Sequence, residues 1–414
     1  MTGIWELAGN AELGVKKIEW ARRHMPVLSR IRERFAKEHP FEGAVFSVTL
    51  HVTKETANLV ETLRDGGAEI YLTPANPLST DNDVAEALKH RGISVRAWRG
   101  MNSEEYFGAI DWAHSHSPSV IIDDGADSIV RAHEKNIFAR CEVYGALEET
   151  TTGVIRIRAL EKEGILKIPV FFINEAQSKK LFDNRYGTGQ SGIDGVIRAT
   201  SILFAGKRVV VCGYGLVGRG VTSRARGLGA SVIVTETSPI RALEAVMDGF
   251  TVMPILEAAK IGDIFITATG NIKAIPYEAI LLMKDGAILA NVGHFDVEID
   301  VATLYKEAKN IVEIKPFVEE VLLPNGKKIY LLAKGRVVNL VLAEGHPPDV
   351  MDMSFSNQAL VSEYLVKHKN LKIGVYNVPD EIDMMVASMK LETMGVKIDE
   401  LSEEQRKYLS SWSI

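Results

Sequence analysis

Short apolar runs alternate along the chain with longer stretches in which apolar residues recur every three or four positions. The apolar runs predict buried strands at residues 44–50, 69–73, 94–97, 120–122, 170–174, 209–212, 231–235, 263–267 and 287–292. The periodic stretches predict helices at residues 54–64, 81–90, 103–115 and 355–368, and another that ends at residue 228. Because strands alternate with helices, we predict an α/β protein built from parallel, doubly wound sheets.

The two ends of the chain depart from this alternation. Residues 11–38 predict one long amphipathic helix or two short ones, with a break near Met25. Residues 336–342 form a further buried-looking run, and the glycine and prolines at 345–348 then break the chain and mark a domain crossing. The helical tail that begins at Pro379 is predicted to serve oligomerisation rather than to form a domain.

A glycine-rich turn lies between the apolar run at 209–212 and a predicted helix. Gly213 permits a tight turn, Gly215 lets the backbone approach a pyrophosphate, and Gly218 lets the helix pack closely on the strand. The helix N-terminus offers unpaired N–H groups to the phosphates. Glu236, at the end of the next strand, can accept hydrogen bonds from both ribose hydroxyls, and its charge would repel a 2′-phosphate. This unit predicts a dinucleotide site that favours NAD over NADP.

Two later strands lead into polar turns that extend this site. The strand at 263–267 runs into residues 268–271, and the strand at 287–292 runs into residues 293–296. Because ligands of such sheets lie beyond the carboxyl ends of the strands, we expect both turns near the nicotinamide end of the cofactor.

The composition is that of an ordinary globular protein and excludes several classes. Of 414 residues, 46% are hydrophobic and 25% charged, and the length suffices for two domains or more. The net charge of −6 gives no reason to expect nucleic acid or a membrane as a partner. Cys141 and Cys212 are far apart and in no metal-ligand spacing, so we expect no metal and a reducing compartment. With no apolar segment of membrane-spanning length and no leader, a cytoplasmic location is predicted.

The first half of the chain has no glycine fingerprint but carries polar residues at strand ends and turns. We therefore expect it to form the substrate side of the protein. These polar residues are His51, Thr53, Glu55, Asp123, Asp124, Glu148, Glu149, Thr150, Thr151, Thr152, Lys179, Asp183 and Asn184.

Each of these residues also has a purely structural interpretation. Glu149 and its neighbours can cap a helix, Lys179 and Asp183 can form a surface ion pair at i, i+4, and His51 can be a hydrogen-bonded structural histidine. Singly, the structural interpretation is favoured. Asp124 and the aspartate before it are the exception, because carboxylates that directly follow a buried strand of such a sheet favour function.

Several motifs and their spacing closely resemble the S-adenosylhomocysteine hydrolase family over essentially the whole chain. The stretches that carry the resemblance are LHVTKET (50–56), DDGAD (123–127), EETTTG (148–153), GILKIP (164–169), KKLFDNRYG (179–187), GYGLVGRG (213–220), GHFDVEID (293–300) and GRVVNLVLAEGHP (335–347). The resemblance implies two Rossmann-like domains and tightly held NAD.

The resemblance also implies a reaction. Members of the family hydrolyse S-adenosylhomocysteine, reversibly, to adenosine and homocysteine, which places them in the activated methyl cycle of one-carbon metabolism. The 3′-hydroxyl is oxidised to a ketone at the expense of NAD, and the ketone acidifies the 4′ C–H. Proton removal expels homocysteine, water adds to the enone, and the 3′-carbon is reduced again, so that NAD is not consumed. Relatives are usually homotetramers.

Carried over onto matching positions, the resemblance assigns roles to individual residues. It implies catalytic roles for His51, Asp124, Lys179, Asp183 and His294. It implies substrate binding by Thr53, Glu55, Asp124, Glu149, Lys179, Asp183 and His346. It implies NAD binding by Thr150, Thr151, Thr152, Asn184, Gly213, Tyr214, Gly215, Leu216, Val217, Gly218, Glu236, Arg241, Asn271, Val292, Gly293, His294 and Asn339. We expect Lys179 to act as a base whose pKa is lowered by its surroundings, and His294 to act in closing the site.

The chain departs from the family pattern at three places. Thr188 stands where the family commonly has a cysteine, and Arg241 stands where an asparagine is frequent. The family's C-terminal tail, with a lysine and a tyrosine that reach the neighbouring subunit's NAD, has no counterpart after Tyr408. The predicted domains are residues 1–185 with 346–378 for the substrate, 186–345 for NAD, and 379–414 as the tail.

Three other functions compete with the hydrolase. An NAD-dependent dehydrogenase of 2-hydroxy acids shares the two-domain plan but consumes NAD. A hydrolase that prefers S-inosylhomocysteine needs a site for hypoxanthine, and Glu55 only weakly favours a 6-amino group. A regulatory nucleoside-binding relative predicts the loss of catalytic groups, all of which are present here.

Overall fold

A computed structural model describes residues 9–412 as an α/β structure with two sheets. The strands are β1 (Val45–Thr49), β2 (Glu69–Thr73), β3 (Ser94–Val95), β4 (Val120–Asp123), β5 (Gly145–Glu148), β6 (Pro169–Phe172), β7 (Arg208–Cys212), β8 (Ser231–Thr235), β9 (Thr251–Val252), β10 (Ile264–Thr267), β11 (Ala287–Asn291), β12 (Asn310–Lys315), β13 (Val318–Leu322), β14 (Lys328–Leu332) and β15 (Gly374–Asn377). The helices are α1 (Ala11–Arg23), α2 (Pro26–Glu38), α3 (Lys54–Asp65), α4 (Asn82–His90), α5 (Ser103–Ser115), α6 (Asp127–Glu134), α7 (Thr151–Lys162), α8 (Gln177–Lys180), α9 (Thr188–Thr200), α10 (Leu216–Gly227), α11 (Pro239–Met247), α12 (Ile255–Ala258), α13 (Tyr277–Leu282), α14 (Val301–Glu307), α15 (Val338–Val341), α16 (Pro348–Lys367), α17 (Asp380–Thr393) and α18 (Glu403–Ser410).

The first sheet is parallel throughout and has the order β15-β6-β5-β4-β1-β2-β3. Its central strands, β1 and β4, pair in register, with Thr49 opposite Asp123, so their polar carboxyl ends meet at one edge. Helices cover both faces, which is why the strands read as continuous apolar runs. The edge strand β15 comes from the far end of the chain and was not predicted, because its four residues are only partly buried and show no apolar run.

The second sheet has the order β12-β13-β14-β11-β10-β7-β8-β9 and is only partly parallel. The pairs β12–β13 and β13–β14 are antiparallel, so the expectation of parallel strands in both sheets is wrong at this edge. The reason is the length of the connections, since a hairpin turn can join only antiparallel neighbours. The Pro324-Asn325-Gly326 segment, with Gly326 at φ +87°, lies in the turn between β13 and β14 and is a turn signal that was not recognised in the sequence.

Several predicted elements have different bounds or another form. The stretch 11–38 is two helices, and Pro26 starts the second, where the missing N–H of proline costs nothing. The buried run at 336–342 contains the short helix α15 rather than a strand. Helix α16 begins at Pro348, seven residues earlier than predicted, and is buried over most of its length.

The tail that follows residue 378 divides into two parts. Helix α17 packs against α2 and α16, its Val386 is fully buried, and Lys390 Nζ lies 2.9 Å from an oxygen of the buried Asp352. Helix α18 buries none of its residues. In residues 9–412, no helix has the length and apolar character needed to cross a bilayer.

Candidate active site

A cleft of about 1100 Å³ opens where the strand ends of the two sheets face each other. Most of the predicted site residues line it. These are His51, Thr53, Glu55, Asp124, Glu149, Thr150, Thr151, Thr152, Lys179, Asp183, Asn184, Gly213, Gly215, Leu216, Val217, Glu236, Arg241, Asn271, Val292, Gly293, His294, Asn339 and His346. The alternation of strands and helices thus brings together residues that are far apart in the sequence.

Two predicted cofactor residues, Tyr214 and Gly218, do not line the cleft. The Tyr214 ring is buried in the core of the second sheet, and its hydroxyl donates to Asp248 Oδ2 at 2.6 Å. A Cβ on Gly218 would lie 2.0 Å from the Gly213 carbonyl oxygen, so Gly218 allows the close packing of α10 on β7. Both residues therefore support the glycine turn from the side of the core and do not face the cleft.

The other two glycines of the turn leave room in the cleft. Gly213 has φ +97°, a conformation that favours glycine, and turns the chain out of β7. A Cβ on Gly215 would meet only Arg241 Nη1, at 3.9 Å. The turn therefore presents open backbone at the start of a twelve-residue helix, the arrangement that binds a pyrophosphate.

Glu236 is held rigidly at the end of β8. Its Oε2 accepts from Tyr214 N at 2.8 Å, and its Oε1 accepts from Thr237 N at 2.7 Å and Ser238 N at 2.9 Å. Burial alone raises the pKa of this carboxyl, but these N–H donors and the nearby Arg241 charge bring it below its usual value. Glu236 is therefore a fixed anion in the cleft at neutral pH.

Lys179 is 2% exposed, so the interpretation of Lys179 and Asp183 as a surface ion pair is wrong. Its Nζ lies 2.9 Å from Asp183 Oδ2 and 3.6 Å from Glu149 Oε1, and it donates to Asn184 Oδ1 at 3.0 Å. The expectation of a lowered pKa is also wrong. Burial lowers the pKa of Lys179, but the charges of Asp183 and Glu149 outweigh burial and raise it. Lys179 is an ammonium ion in this arrangement.

Asp183 joins Lys179 to His346. Its Oδ1 pairs with Nδ1 of His346, whose Nε2 lies 3.1 Å from the hydroxyl of Thr188. Burial lowers the pKa of His346, but the Asp183 carboxylate raises it above the usual value. Lys179, Asp183, His346 and Thr188 thus form one hydrogen-bonded chain.

Glu149 lies at the end of β5 and is held by helix α16. Its Oε1 accepts from Ser354, and its Oε2 accepts from Gln358 Nε2 at 2.6 Å. Burial raises the pKa of Glu149 to about 7, although the Lys179 charge opposes the shift. The interpretation of this segment as a helix cap is not supported, because Thr150 precedes α7 without a side-chain capping bond.

A second cluster joins the two halves of the cleft. His51 Nε2 lies 3.5 Å from Asp124 Oδ2, and His294 Nδ1 lies 3.7 Å from Asp124 Oδ1. Burial lowers the pKa of His51 to about 4, so its ring is neutral at neutral pH, with Nδ1 bonded to Ser79 Oγ at 2.7 Å. The ligand atoms of His51, Asp124 and His294 lie within 4.8 Å of one another, a spacing that would also suit a metal ion.

Asp123, predicted together with Asp124, has a different place. It is fully buried below the cleft, where it accepts from Asp124 N at 2.9 Å and from Ile129 N at 2.7 Å. Of the two aspartates at this strand end, Asp124 faces the cleft and Asp123 braces the turn that carries it.

Thr53 and Glu55 lie at the start of α3, at one end of the cleft. Glu55 is 1% exposed, and burial raises its pKa even though Lys54 Nζ lies 3.3 Å from its Oε1. Lys54 also reaches Glu344 Oε2 at 3.1 Å. A buried carboxyl with a single cationic neighbour can accept a hydrogen bond from a ligand in the cleft.

Comparison with known proteins decides the family. Residues 184–345 match the S-adenosyl-L-homocysteine hydrolase, NAD binding domain, and residues 6–141 match the S-adenosyl-L-homocysteine hydrolase model. The chain is 59% identical to adenosylhomocysteinase of Saccharolobus solfataricus over 404 residues, 97% of each chain. This chain belongs to the S-adenosyl-L-homocysteine hydrolase family. It is therefore an enzyme with the NAD-binding domain of that family.

Two further relatives differ in the nucleoside that their names specify. The chain is 59% identical to adenosylhomocysteinase of Archaeoglobus fulgidus, covering 96% of this chain and 98% of the relative. It is 56% identical to S-inosyl-L-homocysteine hydrolase of Methanocaldococcus jannaschii, covering 96% of each. Family membership excludes the 2-hydroxy-acid dehydrogenase but leaves both nucleoside bases open.

The structure accounts for one departure from the family pattern. Thr188, at the position of the family's common cysteine, bonds to His346. A hydroxyl is a better hydrogen-bond partner for an imidazole than a thiol, so the threonine fixes the ring orientation without a thiol at this position.

Sequence reasoning missed several residues that hold the site. Asn174 Oδ1 accepts from Lys179 Nζ at 3.3 Å and from Asn184 Nδ2 at 3.1 Å, and its place at a strand end is a signal that could have found it. Glu298 accepts from Thr269 N and Gly270 N, both at 2.8 Å, and so holds a cofactor-side turn. Ser354 and Gln358, the partners of Glu149, carry no such signal, since they are polar residues on a helix without an obvious polar face.

Proposed function

We propose that the protein hydrolyses S-adenosyl-L-homocysteine, reversibly, to adenosine and L-homocysteine. The observation that carries the proposal is the convergence of two buried clusters beside the Gly213 turn. One contains Lys179 and Asp183, and the other contains His51 and Asp124. A dehydrogenase needs only one acid/base group, which moves the proton of an alcohol. Elimination and water addition at a neighbouring carbon need a second set of acid/base groups.

The donor set around the glycine turn fits NAD. Gly213 and Gly215 leave the backbone open to a pyrophosphate, and the fixed carboxylate of Glu236 suits ribose hydroxyls and disfavours a 2′-phosphate. When bound, NAD supplies the reversible oxidation of the 3′-carbon. The residues that we propose hold it are Thr150, Thr151, Thr152, Asn184, Gly213, Gly215, Leu216, Val217, Glu236, Arg241, Asn271, Val292, Gly293, His294 and Asn339.

We assign the proton of the 3′-hydroxyl to the pair of Lys179 and Glu149, with Asp183 holding Lys179 in place and His346 holding Asp183. Because Lys179 is an ammonium ion here, it takes the hydroxyl proton only as it passes one of its own protons to the Glu149 carboxylate, 3.6 Å away, whose pKa of about 7 suits it to hold that proton. The buried positive charge favours an oxyanion over a hydroxyl, which lowers the barrier to oxidation. Glu149, within reach of Lys179, binds the ribose hydroxyls.

His51 and Asp124 carry out the second half of the reaction. A neutral imidazole and a carboxylate within 3.5 Å can divide proton removal at the 4′-carbon from proton donation at the 5′ side. His294 lies against the same carboxylate and closes the cluster toward the cofactor half. Thr53, Glu55 and His346 line the end of the cleft where we place the base.

The proposed function also implies a domain arrangement, an oligomeric state and a cellular location. We assign residues 1–185 and 346–378 to the substrate domain, residues 186–345 to the NAD domain and residues 379–414 to an oligomerisation tail. We propose a homotetramer; self-association in general is supported by apolar side chains on the surface, such as Ile240 (76% exposed), Met247 (77%) and Trp412 (98%). The two free cysteines suit the cytoplasm, and the reaction suits the activated methyl cycle.

A hydrolase of S-inosylhomocysteine is the second candidate. It is supported by the relative from Methanocaldococcus jannaschii, which matches this chain about as well as the adenosylhomocysteinases do. The buried carboxyl of Glu55 favours adenine, because a carboxylate accepts from a 6-amino group and repels a 6-oxo group.

The proposal is tested by incubating purified protein with S-adenosylhomocysteine without added NAD. Homocysteine, detected with a thiol reagent, should form over many turnovers with no net NADH. NADH that rises in step with turnover, or a lack of thiol, would reject the hydrolase. Free adenosine, measured in parallel, should match the thiol one to one.

A further inference from the structure

Arg156, on helix α7, touches both halves of the protein at the edge of the cleft. Its Nη1 donates to the Gly125 carbonyl at 2.5 Å and to Asp127 Oδ1 at 2.7 Å, on the turn that carries Asp124. Its guanidinium also lies over the Phe295 ring, 5.7 Å from the centroid, in the cofactor half. Neither the sequence motifs nor the proposed reaction use Arg156.

The residues that Arg156 joins are packed directly against the second catalytic cluster. A Cβ on Gly125 would lie 2.3 Å from His294 Nε2, so the imidazole rests on the bare backbone of the turn. The rings of His294 and Phe295 are in edge contact, with centroids 4.6 Å apart. The position of the Phe295 ring therefore affects where His294 lies relative to Asp124.

Two polar contacts hold the loop of residues 293–297 to the rest of the cofactor half. Asn291 Nδ2 donates to the Phe295 carbonyl at 2.9 Å, and Asp296 Oδ2 pairs with Arg336 Nη2 at 3.0 Å. Both of these anchors lie within the cofactor half. Arg156 is the contact that ties the loop to the substrate half from outside the cleft.

We propose that Arg156 is a positioning residue that holds the 293–297 loop closed on the Asp124 turn. It acts through Phe295 and the Gly125 carbonyl and touches neither substrate nor cofactor. The Arg156 side chain is half-buried, and a cation–aromatic contact of this kind together with a charge-assisted hydrogen bond has the strength to bias such a closure about tenfold. The catalytic consequence rests on the proposed function, since the closed loop would retain the oxidised nucleoside until it is reduced again.

The chain offers a matched control on the same helix. Arg158 is exposed and also lies over an aromatic ring, that of Phe172 at 5.1 Å, but away from the cleft. Arg156→Met and Arg158→Met each remove one guanidinium from one cation–aromatic pair. Only the first variant removes the contact between the two halves.

The test combines hydrogen exchange with turnover in the holoenzyme. In Arg156→Met we expect the amides of residues 293–297 to exchange about tenfold faster, and in Arg158→Met we expect no change. Arg156→Met should also lose turnover about tenfold and accumulate enzyme-bound NADH during turnover, because the ketone escapes before it is reduced. Arg156→Lys, which keeps the charge but not the flat stacking surface, should lie between wild type and Arg156→Met.

The outcomes separate this inference from the proposed function. Unchanged exchange in Arg156→Met, or equal effects of the two methionine variants, would overturn the role of Arg156. The exchange measurement needs no substrate, so a wild type that forms no homocysteine would reject the reaction and leave the loop contact testable. If Arg156→Met does not fold, Phe295→Leu removes the other side of the contact, and unchanged exchange in that variant would overturn the role as well.

Discussion

Lys179 Nζ lies 2.9 Å from Asp183 Oδ2 in a part of the cleft where both side chains are almost completely buried. Two opposite charges so placed stabilise each other, and the net effect is to raise the pKa of the lysine and lower that of the aspartate. The pair therefore enters the reaction ionised. Its value to catalysis is a fixed positive charge beside an alcohol that must lose a proton.

Removal of that charge should stop the first step while leaving the cofactor bound. In Lys179→Ala we expect the rate of NADH formation on adding adenosine to fall roughly 10²–10⁴-fold, because both the cation and the proton relay are lost. NAD should still co-purify, since Lys179 lies outside the glycine turn. Wild-type NADH formation in this variant would refute the assigned role. Lys180→Ala, which removes the next lysine and its ion pair with Glu175, serves as the control.

Asp124 should affect the later steps rather than the first. In Asp124→Asn we expect bound NADH to form on adding adenosine at close to the wild-type rate, whereas release of homocysteine from the full substrate slows roughly 10²–10⁴-fold. The reason is that Asp124 lies beside His51 and His294, the groups assigned to the later steps, whereas the 3′-hydroxyl proton is assigned to the Lys179 cluster. Equal loss of both rates would mean that Asp124 acts by positioning.

Glu149 should make stability depend on pH near neutrality. Its pKa rises from an ordinary 4.5 to about 7 in the folded protein, so the folded state binds its proton more tightly than the unfolded state does. The stability from this group is fully present below about pH 4.5 and is lost as pH rises through 7. Relative to Glu149→Gln, wild type should lose on the order of 3 kcal/mol over this range.

Chemical unfolding of wild type and Glu149→Gln between pH 4.5 and 8 measures this effect. Only the difference between the two proteins is informative, because other buried carboxyls such as Asp123 titrate in both. A difference in unfolding free energy that stays constant with pH would contradict the raised pKa of Glu149.

Glu55 should set the preference between the two nucleoside bases. We expect S-adenosylhomocysteine to be used about tenfold or more better than S-inosylhomocysteine in kcat/KM, because a hydrogen bond to a charged group is worth about 1.5–3 kcal/mol. In Glu55→Gln, whose amide can donate to a 6-oxo group, the preference should narrow or reverse. Faster turnover of the inosine adduct by wild type would favour the second candidate function.

The sequence predicted the fold better than the details of the site. Apolar runs and the glycine turn located most strands, since a buried parallel strand must be apolar along its length. The strands β12 and β13 were missed because β12 is exposed along its whole length and two glutamates interrupt the apolar run of β13. The i, i+4 spacing of Lys179 and Asp183 predicted contact but not burial, because burial depends on helix α16, more than 160 residues later in the chain.

The partners of Glu149 illustrate the same limit. Ser354 and Gln358 are four residues apart on one helix, and nothing in their spacing indicates which strand end they meet. The lowered pKa expected for Lys179 was wrong for a related reason, since burial was anticipated but two carboxylates within 4 Å were not weighed against it. The net pKa shift of a buried group depends on its distances to neighbouring charges, and only the folded chain provides those distances.

We propose that the same molecule of bound NAD oxidises the 3′-carbon and then reduces it again, and this is measured by label retention. S-adenosylhomocysteine that carries deuterium at the 3′-carbon is turned over in ordinary water, and the adenosine product is analysed by mass spectrometry. We expect the 3′-deuterium to be retained, and we expect the same reaction of unlabelled substrate in D₂O to place deuterium at the 4′-carbon. Loss of the 3′-label to solvent, or a 4′-carbon that never exchanges, would contradict it.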